Sequence, residues 1–300
     1  MKNLPTIKQL RYFITLEQLL HFRKAAEACY VSQSAFSVAI RELESILGAQ
    51  LADRNNKNVT ITSIGKDVAI QARLVLRDLE VLVELTERNQ SPLAGRLKLG
   101  VIPTITPFLL PQILPRLRKE FPDLKLFLYE DLTQRIYERL MGGDLDLILI
   151  AVPYDLRNIE TMPLFKDPFY FAYRRGSKLV DPNHYEIEAL PSESILLLED
   201  GHCLHDHALS ACKISNKSKV SKVTANSLLT LIQMVDADLG VTFLPEMVVK
   251  SSLLKNTQVK TLKLPTQNYR ELGLIWRQGS ARSNEFELLG NFICKQHAAS

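Results

Sequence analysis

Residues 25–47 read AAEACYVSQSAFSVAIRELESIL, and the reading of this stretch decides what the first part of the chain is. Ser32 stands just before an apolar-periodic run and is a good N-cap, because its hydroxyl can accept from a backbone N–H that the first helical turn leaves unpaired. A helix is predicted from there to about Leu47, before Gly48. Phe36, Ile40, Leu43 and Leu47 then fall at i, i+4, i+7 and i+11, on one buried stripe. Gln33, Ser37 and Arg41 share another face. Phe22 to Cys29 forms a shorter helix, whose alanines permit close packing. Two short helices joined by a tight turn, the second showing Gln, Ser and Arg outward, suggest a helix-turn-helix. Arg pairs bidentately with guanine and Gln with adenine. A plain three-helix cluster with a solvated polar face would give the same pattern.

The flanks sharpen this. Leu10, Phe13 and Ile14 recur at helical spacing upstream. Downstream, residues 53–58 read as a turn and Val59 to Thr62 as a strand, a wing whose Arg54 and Lys57 suit phosphate contacts. A long helix without Pro follows, from Ser63 or Gly65 to Asn89. Its Val68, Ala72, Val75, Leu79 and Leu82 alternate at spacings of four and three, as in a coiled-coil seam, with Ala69, Leu76 and Val83 beside them. So much apolar surface predicts packing on a second copy. Residues 1–66 carry nine Lys or Arg against five Asp or Glu, whereas the remainder carries 28 of each. A basic small domain on a neutral large one suits nucleic acid.

On AAEACYVSQSAFSVAIRELESILGAQLADR and the following VTITSIGK, the first ninety or so residues resemble the DNA-binding head of LysR-type transcriptional regulators. The resemblance implies a winged helix-turn-helix over 1–62, a dimerising linker helix over 63–89, a hinge at 90–95 and an effector domain over 96–300. It also implies DNA contacts from the recognition helix, Ser34 among them, although Ser34 stands where many relatives have Pro, which makes base preference less transferable.

Beyond the hinge the pattern alternates. Strands are predicted at 96–101, 124–129 and 145–150, with helices at 109–120 and 133–141 between them, which argues for parallel βαβ units. Ligands in such sheets sit past the strand C-termini, which points to Pro103, Thr104 and Thr133. A similar segment spans about 167–267. A late strand, 272–277, is predicted to return to the first lobe (96–166 with 268–300), and a helix from Ser283 to Cys294 ends the chain. The fold class expected is an α/β multidomain chain whose effector half has two periplasmic-binding-protein-like lobes.

Residues 199–212, EDGHCLHDHALSAC, hold three of the six histidines and two of the four cysteines. Ile195 to Leu198 reads as a buried strand, so Cys203 would open a helix, where a helix N-terminus and nearby imidazoles favour thiolate. Cys212 lies nine residues on. Joined by one helix, the two Cα atoms stand about 13 Å apart, whereas a disulfide needs under about 7 Å. In a redox switch the helix would have to melt before the two could bond. Metal binding through Cys203 and His207, with His202 or Cys212, is a second reading, and a structural polar helix a third.

LEDGHCLHDHALSAC is similar to the redox centre of the hydrogen-peroxide-sensing LysR-type activators, and GVIPTITPFLLPQILP (100–115) and GLIWRQGSARSNEFE (273–287) agree. The resemblance implies a peroxidatic Cys203 and a resolving Cys212. Thr104, His202, Asp206 and, more weakly, Thr133 would position peroxide or water, and Arg277 would stabilise the thiolate. His205 replaces an Arg of those relatives and His207 an amide, which predicts a weaker local positive field and a pH-dependent response. The partners implied are double-stranded DNA, hydrogen peroxide, a second copy and RNA polymerase. No cofactor, no resident metal and no enzymatic turnover are expected. Cys29 and Cys294, in apolar helical contexts, are assigned no function. No apolar run approaches the ~18 residues a membrane span needs, and the N-terminus lacks a signal-peptide pattern, so the expected location is the cytoplasm. The competing functions are a LysR-type sensor of an organic metabolite and a thiol peroxidase.

Overall fold

The computed structural model describes residues 4–55, 58–87, 93–181, 186–214, 216–265 and 267–298. The chain forms two compact units, residues 1–90 with 141–144, and residues 91–140 with 145–300.

The first unit opens with α1 (Ile7–Leu19), started by a reciprocal cap between Thr6 and Gln9, and α2 (Phe22–Ala28). α3 (Gln33–Leu47) begins where expected: the Ser32 hydroxyl accepts from the Ala35 N–H at 3.2 Å. It ends on Gly48 at φ +66°. Phe36, Ile40 and Leu43 are fully buried against Tyr12, Phe13, Leu16 and Ala25. The wing is the antiparallel pair β1 (Ala52–Asn55) and β2 (Asn58–Ile61), so the strand starts earlier than the turn read over 53–58. α4 (Ser63–Glu87) packs on α1, with Arg73 on Glu17 at 2.6 Å. Gly65 lies so near the Leu51 carbonyl that a Cβ would stand 2.1 Å from its oxygen. Val75, Leu82 and Val83 of α4 remain exposed.

The second unit begins β3 (Gly95–Val101), α5 (Thr106–Glu120), β4 (Leu124–Glu130), α6 (Thr133–Met141) and β5 (Leu147–Val152). β3 pairs in parallel with β4 on one side and with β5 on the other, the βαβ arrangement the alternation predicts. α5 starts earlier than expected, because Pro107 sits in the first turn, where a missing N–H costs nothing. β6 (Ile159–Arg174) then runs through both lobes. After it come α7 (Cys203–Ala211), α8 (Leu228–Asp236), β7 (Thr242–Pro245), α9 (Glu246–Val249), β8 (Val259–Lys263), β9 (Tyr269–Arg277) and α10 (Ser283–Ala298). Over 159–168 β6 pairs with β9; over 169–174 it pairs with β7 and β8. The sheet order is β4-β3-β5-β9-β6-β7, with β8 on β6. The lobe boundary read at about 167 therefore falls inside one continuous strand. Ile195 to Leu198 is buried as expected but forms no strand: Ile195 and Leu198 make only isolated bridges, to Val220, Val241 and Ala225. Among the described residues no helix is long and apolar enough to cross a membrane.

Candidate functional site

Cys203 is the first residue of α7, after a turn that Gly201 makes at φ +96°, and His202 is the N-cap. The thiol is 3% exposed. It packs where the chain leaves β5, enters α6 and begins β9. The Ala151 backbone, the Thr133 hydroxyl and the Arg270 guanidinium all act on it in favour of the thiolate. Burial is the larger effect and pushes the thiol up, with the Asp206 carboxylate adding to it. The helix N-terminus therefore does not by itself make a thiolate here. Thr133 is 1% exposed, and among the described residues its hydroxyl has no hydrogen-bond partner of normal geometry.

Arg270 is the central group. It is 1% exposed. Its Nη1 donates to Thr104 Oγ1 at 2.9 Å and its Nη2 to the Thr104 carbonyl at 3.0 Å. Its Nε donates to Asp167 Oδ2 at 3.0 Å, and the Met247 N–H donates to Oδ1 of the same carboxylate at 3.1 Å. A buried charge is tolerable only with such pairing. One guanidinium thus ties Thr104 and Asp167 into the surroundings of Cys203.

The structure brings Cys203, Thr133, Thr104 and Arg270 together. It places Arg277 elsewhere: its Nη1 donates to the carbonyls of Leu140 and Leu145, at 2.5 and 2.7 Å. The guanidinium whose charge acts on the thiol belongs to Arg270, seven residues earlier in the same strand. The reason is strand parity. The two lie on opposite faces of β9, both of them covered: Arg270 is in phase with Leu272, Leu274 and Trp276, and Arg277 with Gly273 and Ile275, all buried. The sequence reading missed Arg270, and with both faces of β9 buried no alternation singled it out. It also missed Asp167, Ala151 and Tyr154. Tyr154 is half-buried, and burial raises its phenol, followed by the nearby Cys203 and Asp206.

The histidines are committed separately. Burial lowers the pKa of the buried His202, against the opposing pull of Glu199 and of the Asn226 backbone. His205 Nδ1 donates to the Leu198 carbonyl at 2.8 Å, with Nε2 3.6 Å from Asp200. His207 Nε2 donates to the Pro153 carbonyl at 3.0 Å, and burial holds its pKa down. Asp206 is exposed. Among the described residues no group of three or more His, Cys, Asp and Glu is placed to hold a metal ion.

Cys212 caps the far end of α7, buried, and both it and Cys203 are free thiols. Burial pushes it up to about 12, opposed by Asn268. Asn268 Nδ2 donates to the Ala211 carbonyl at 2.5 Å and so holds the end of the helix. With α7 intact the two Cα atoms are about 13 Å apart. Cys294 donates to the Leu164 carbonyl at 3.3 Å, and Cys29 is the C-cap of α2.

A cavity of about 380 Å³ reaches this region, lined by Thr104, His202, Phe108 and Glu130 with Ser227, Ser251 and Ser252. On the first unit, Gln33, Ser34 and Arg41 of α3 are exposed and Ser37 is half-buried. Ser34 Oγ lies 3.0 Å from Ser32 Oγ, and Arg41 Nε is held 3.4 Å from the Ser37 carbonyl. The side chain of Arg54, and Lys57 altogether, lie outside the described residues.

Comparison with known proteins agrees with this architecture. The family described as LysR substrate binding domain matches residues 90–298, and that described as bacterial regulatory helix-turn-helix protein, lysR family, matches residues 7–66. The HTH-type transcriptional regulator EstR of Acinetobacter baylyi is 38% identical over 290 residues, 96% of each chain. The DNA-binding transcriptional dual regulator OxyR of Escherichia coli K12 is 34% identical over 287 residues, 96% of this chain and 94% of that one. A solved full-length OxyR variant from Pseudomonas aeruginosa superposes with a TM-score of 0.78 at 33% identity, covering 97% of this chain and 95% of its own.

Proposed function

We propose that this chain, which belongs to the LysR family of transcriptional regulators, is a DNA-binding regulator that senses hydrogen peroxide through Cys203 and Cys212. The observation that carries this reading is the setting of Cys203. A buried thiol opens α7 under the influence of Arg270, Thr133 and the Ala151 backbone, and a second free thiol closes the same helix.

The chemistry follows from that setting. Arg270 supports the thiolate as it forms. The thiolate attacks one oxygen, the O–O bond breaks, and the departing hydroxide takes the thiol's proton to leave as water. Cys203 becomes a sulfenic acid. The Cys212 sulfur then displaces the sulfenic hydroxyl, which leaves with the Cys212 proton as a second water. The two sulfurs lose two electrons in all, and peroxide gains them. This second step requires α7 to come apart, because the intact helix holds the sulfurs beyond bonding reach. Thr104, His202 and Asp206 are assigned to positioning peroxide or water, and unfolding of α7 to the signal passed on.

Gln33, Ser37 and Arg41 are assigned to base edges, Ser34 to the DNA interface, and Arg54 and Lys57 to phosphates. The exposed apolar stripe of α4 is assigned to a second copy of the chain, and RNA polymerase to the DNA-bound oligomer as partner. The domain limits go with this reading: head 1–62, linker helix 63–89, hinge 90–95, effector domain 96–300. Counting free thiols before and after one equivalent of peroxide tests it. The parent should lose two per chain, whereas Cys203→Ser should lose none and still bind DNA; a Cys203→Ser protein that still switches on peroxide overturns the reading.

The cavity beside Thr104 favours a second reading, in which it takes a small organic effector and the cysteines are incidental. An unchanged thiol count with effector-dependent DNA binding would select that reading.

A further inference from the structure

A second cavity, of about 420 Å³, lies among α5, α9 and the end of α10. This is within the size range of small-molecule sites. Phe108 lines both this cavity and the one beside Thr104. Its walls combine the apolar faces of Phe108, Leu109 and Met247 with several charged groups. Most of those charges are already matched. Asp167 is paired with Arg270. Glu246 is paired with Lys250 at 2.9 Å and accepts from the Tyr170 hydroxyl at 3.1 Å. His297 stacks on Phe165, and burial lowers its pKa, which disfavours the charged form. Arg116 is different: it donates to the Gln296 side-chain oxygen at 2.5 Å, and among the described residues it has no carboxylate partner.

We infer that this cavity is a ligand site for a small monocarboxylate with an apolar body. The carboxylate is held by Arg116 at the mouth, and the body lies against Phe108, Leu109 and Met247. Among the described residues of the walls, only the exposed Arg116 is a cation without a carboxylate partner, which favours one negative charge, while Asp167 and Glu246 disfavour a dianion. The occupant rests against Asp167, whose other oxygen holds Arg270, and Arg270 acts on Cys203. Binding is therefore coupled to the reactivity of that thiol. The binding claim is independent of the peroxide reading; only the biological use of the coupling rests on it.

The test is calorimetry on the full chain with phenylacetate, and with phenylacetamide as the uncharged twin. Phenylacetate should bind saturably at millimolar concentration or below. Phenylacetamide, or phenylacetate on Arg116→Gln, should bind about ten-fold or more weaker, the usual loss of a charge-assisted contact. Gln112→Trp, which fills the mouth, should abolish binding, while Ser252→Trp, in the other cavity, should leave it intact. Absence of binding, parent affinity in Arg116→Gln, or loss in Ser252→Trp with retention in Gln112→Trp each overturns the site. The coupling is read by the rate at which iodoacetamide alkylates Cys203, with and without phenylacetate. An unchanged rate at saturation overturns the coupling. Because iodoacetamide replaces peroxide here, failure of the peroxide reading would leave both results interpretable.

Discussion

Arg270 and Asp167 form an ion pair 3.0 Å long in which neither side chain meets solvent to any useful extent, at 0% and 3% exposure. Breaking such a pair by removing one partner leaves an uncompensated buried charge, at a cost of roughly 3–5 kcal/mol. Asp167→Asn is therefore expected to lower unfolding stability by that order. Urea denaturation of the variant checks it, and a loss under about 1 kcal/mol would mean that the site is wetter than described.

Cys212 sets an alkaline limit. Its thiol is raised to about 12 by burial, whereas in the unfolded chain it ionises near 8.5. Between those values the unfolded state releases a proton that the folded state keeps, so stability falls as pH rises through the window. The contribution is fully present below the unfolded value. Cys212→Ala should flatten the decline of the urea midpoint over that range.

His202 and His207 set an acid limit. Burial lowers both below the ordinary 6.5. Above 6.5 folded and unfolded forms are alike neutral; below it the unfolded chain takes up protons that the folded chain refuses. Stability is therefore lost as pH falls from 6.5 toward the depressed folded values. His207→Gln should remove part of that loss, measured as a smaller shift in thermal midpoint on acidification.

Gly65 is required by space. A Cβ there would sit 2.1 Å from the Leu51 carbonyl oxygen and 2.8 Å from an Ile61 methyl. Backbone cannot yield as a flexible side chain does, so Gly65→Ala should cost at least about 1–3 kcal/mol. The loss should appear in the melting of the DNA-binding head, with weakened operator binding.

Arg41 lies exposed on α3 in line with Gln33 and Ser37. If it reads a guanine, Arg41→Ala should lose about 1–3 kcal/mol on the cognate operator and relax preference at one base pair. An equal loss on all sequences, with a shallower salt dependence, would assign it to phosphate instead.

Much of this molecule was legible from short-range pattern. The cap at Ser32, the stripe of Phe36, Ile40 and Leu43, the stop at Gly48 and the βαβ alternation over 96–150 were all read from neighbours within a few residues. The place of Cys203 at a helix start and Cys212 near its end came the same way. These features depend on period and capping, which the chain carries locally.

What escaped depends on distance along the chain. Arg270 meets Asp167 across 103 residues and Thr104 across 166. Nothing near Asp167 announces a partner, and with both faces of β9 buried the phase of Arg270 did not mark it either. The choice of Arg270 over Arg277, the single strand β6 shared by both lobes, and the dominance of burial over the helix N-terminus at Cys203 were decided only when remote segments packed. Periodicity tells a side chain which face it is on, but its charge state and its partners are set by whatever the fold brings to that face, and by how completely water is excluded there.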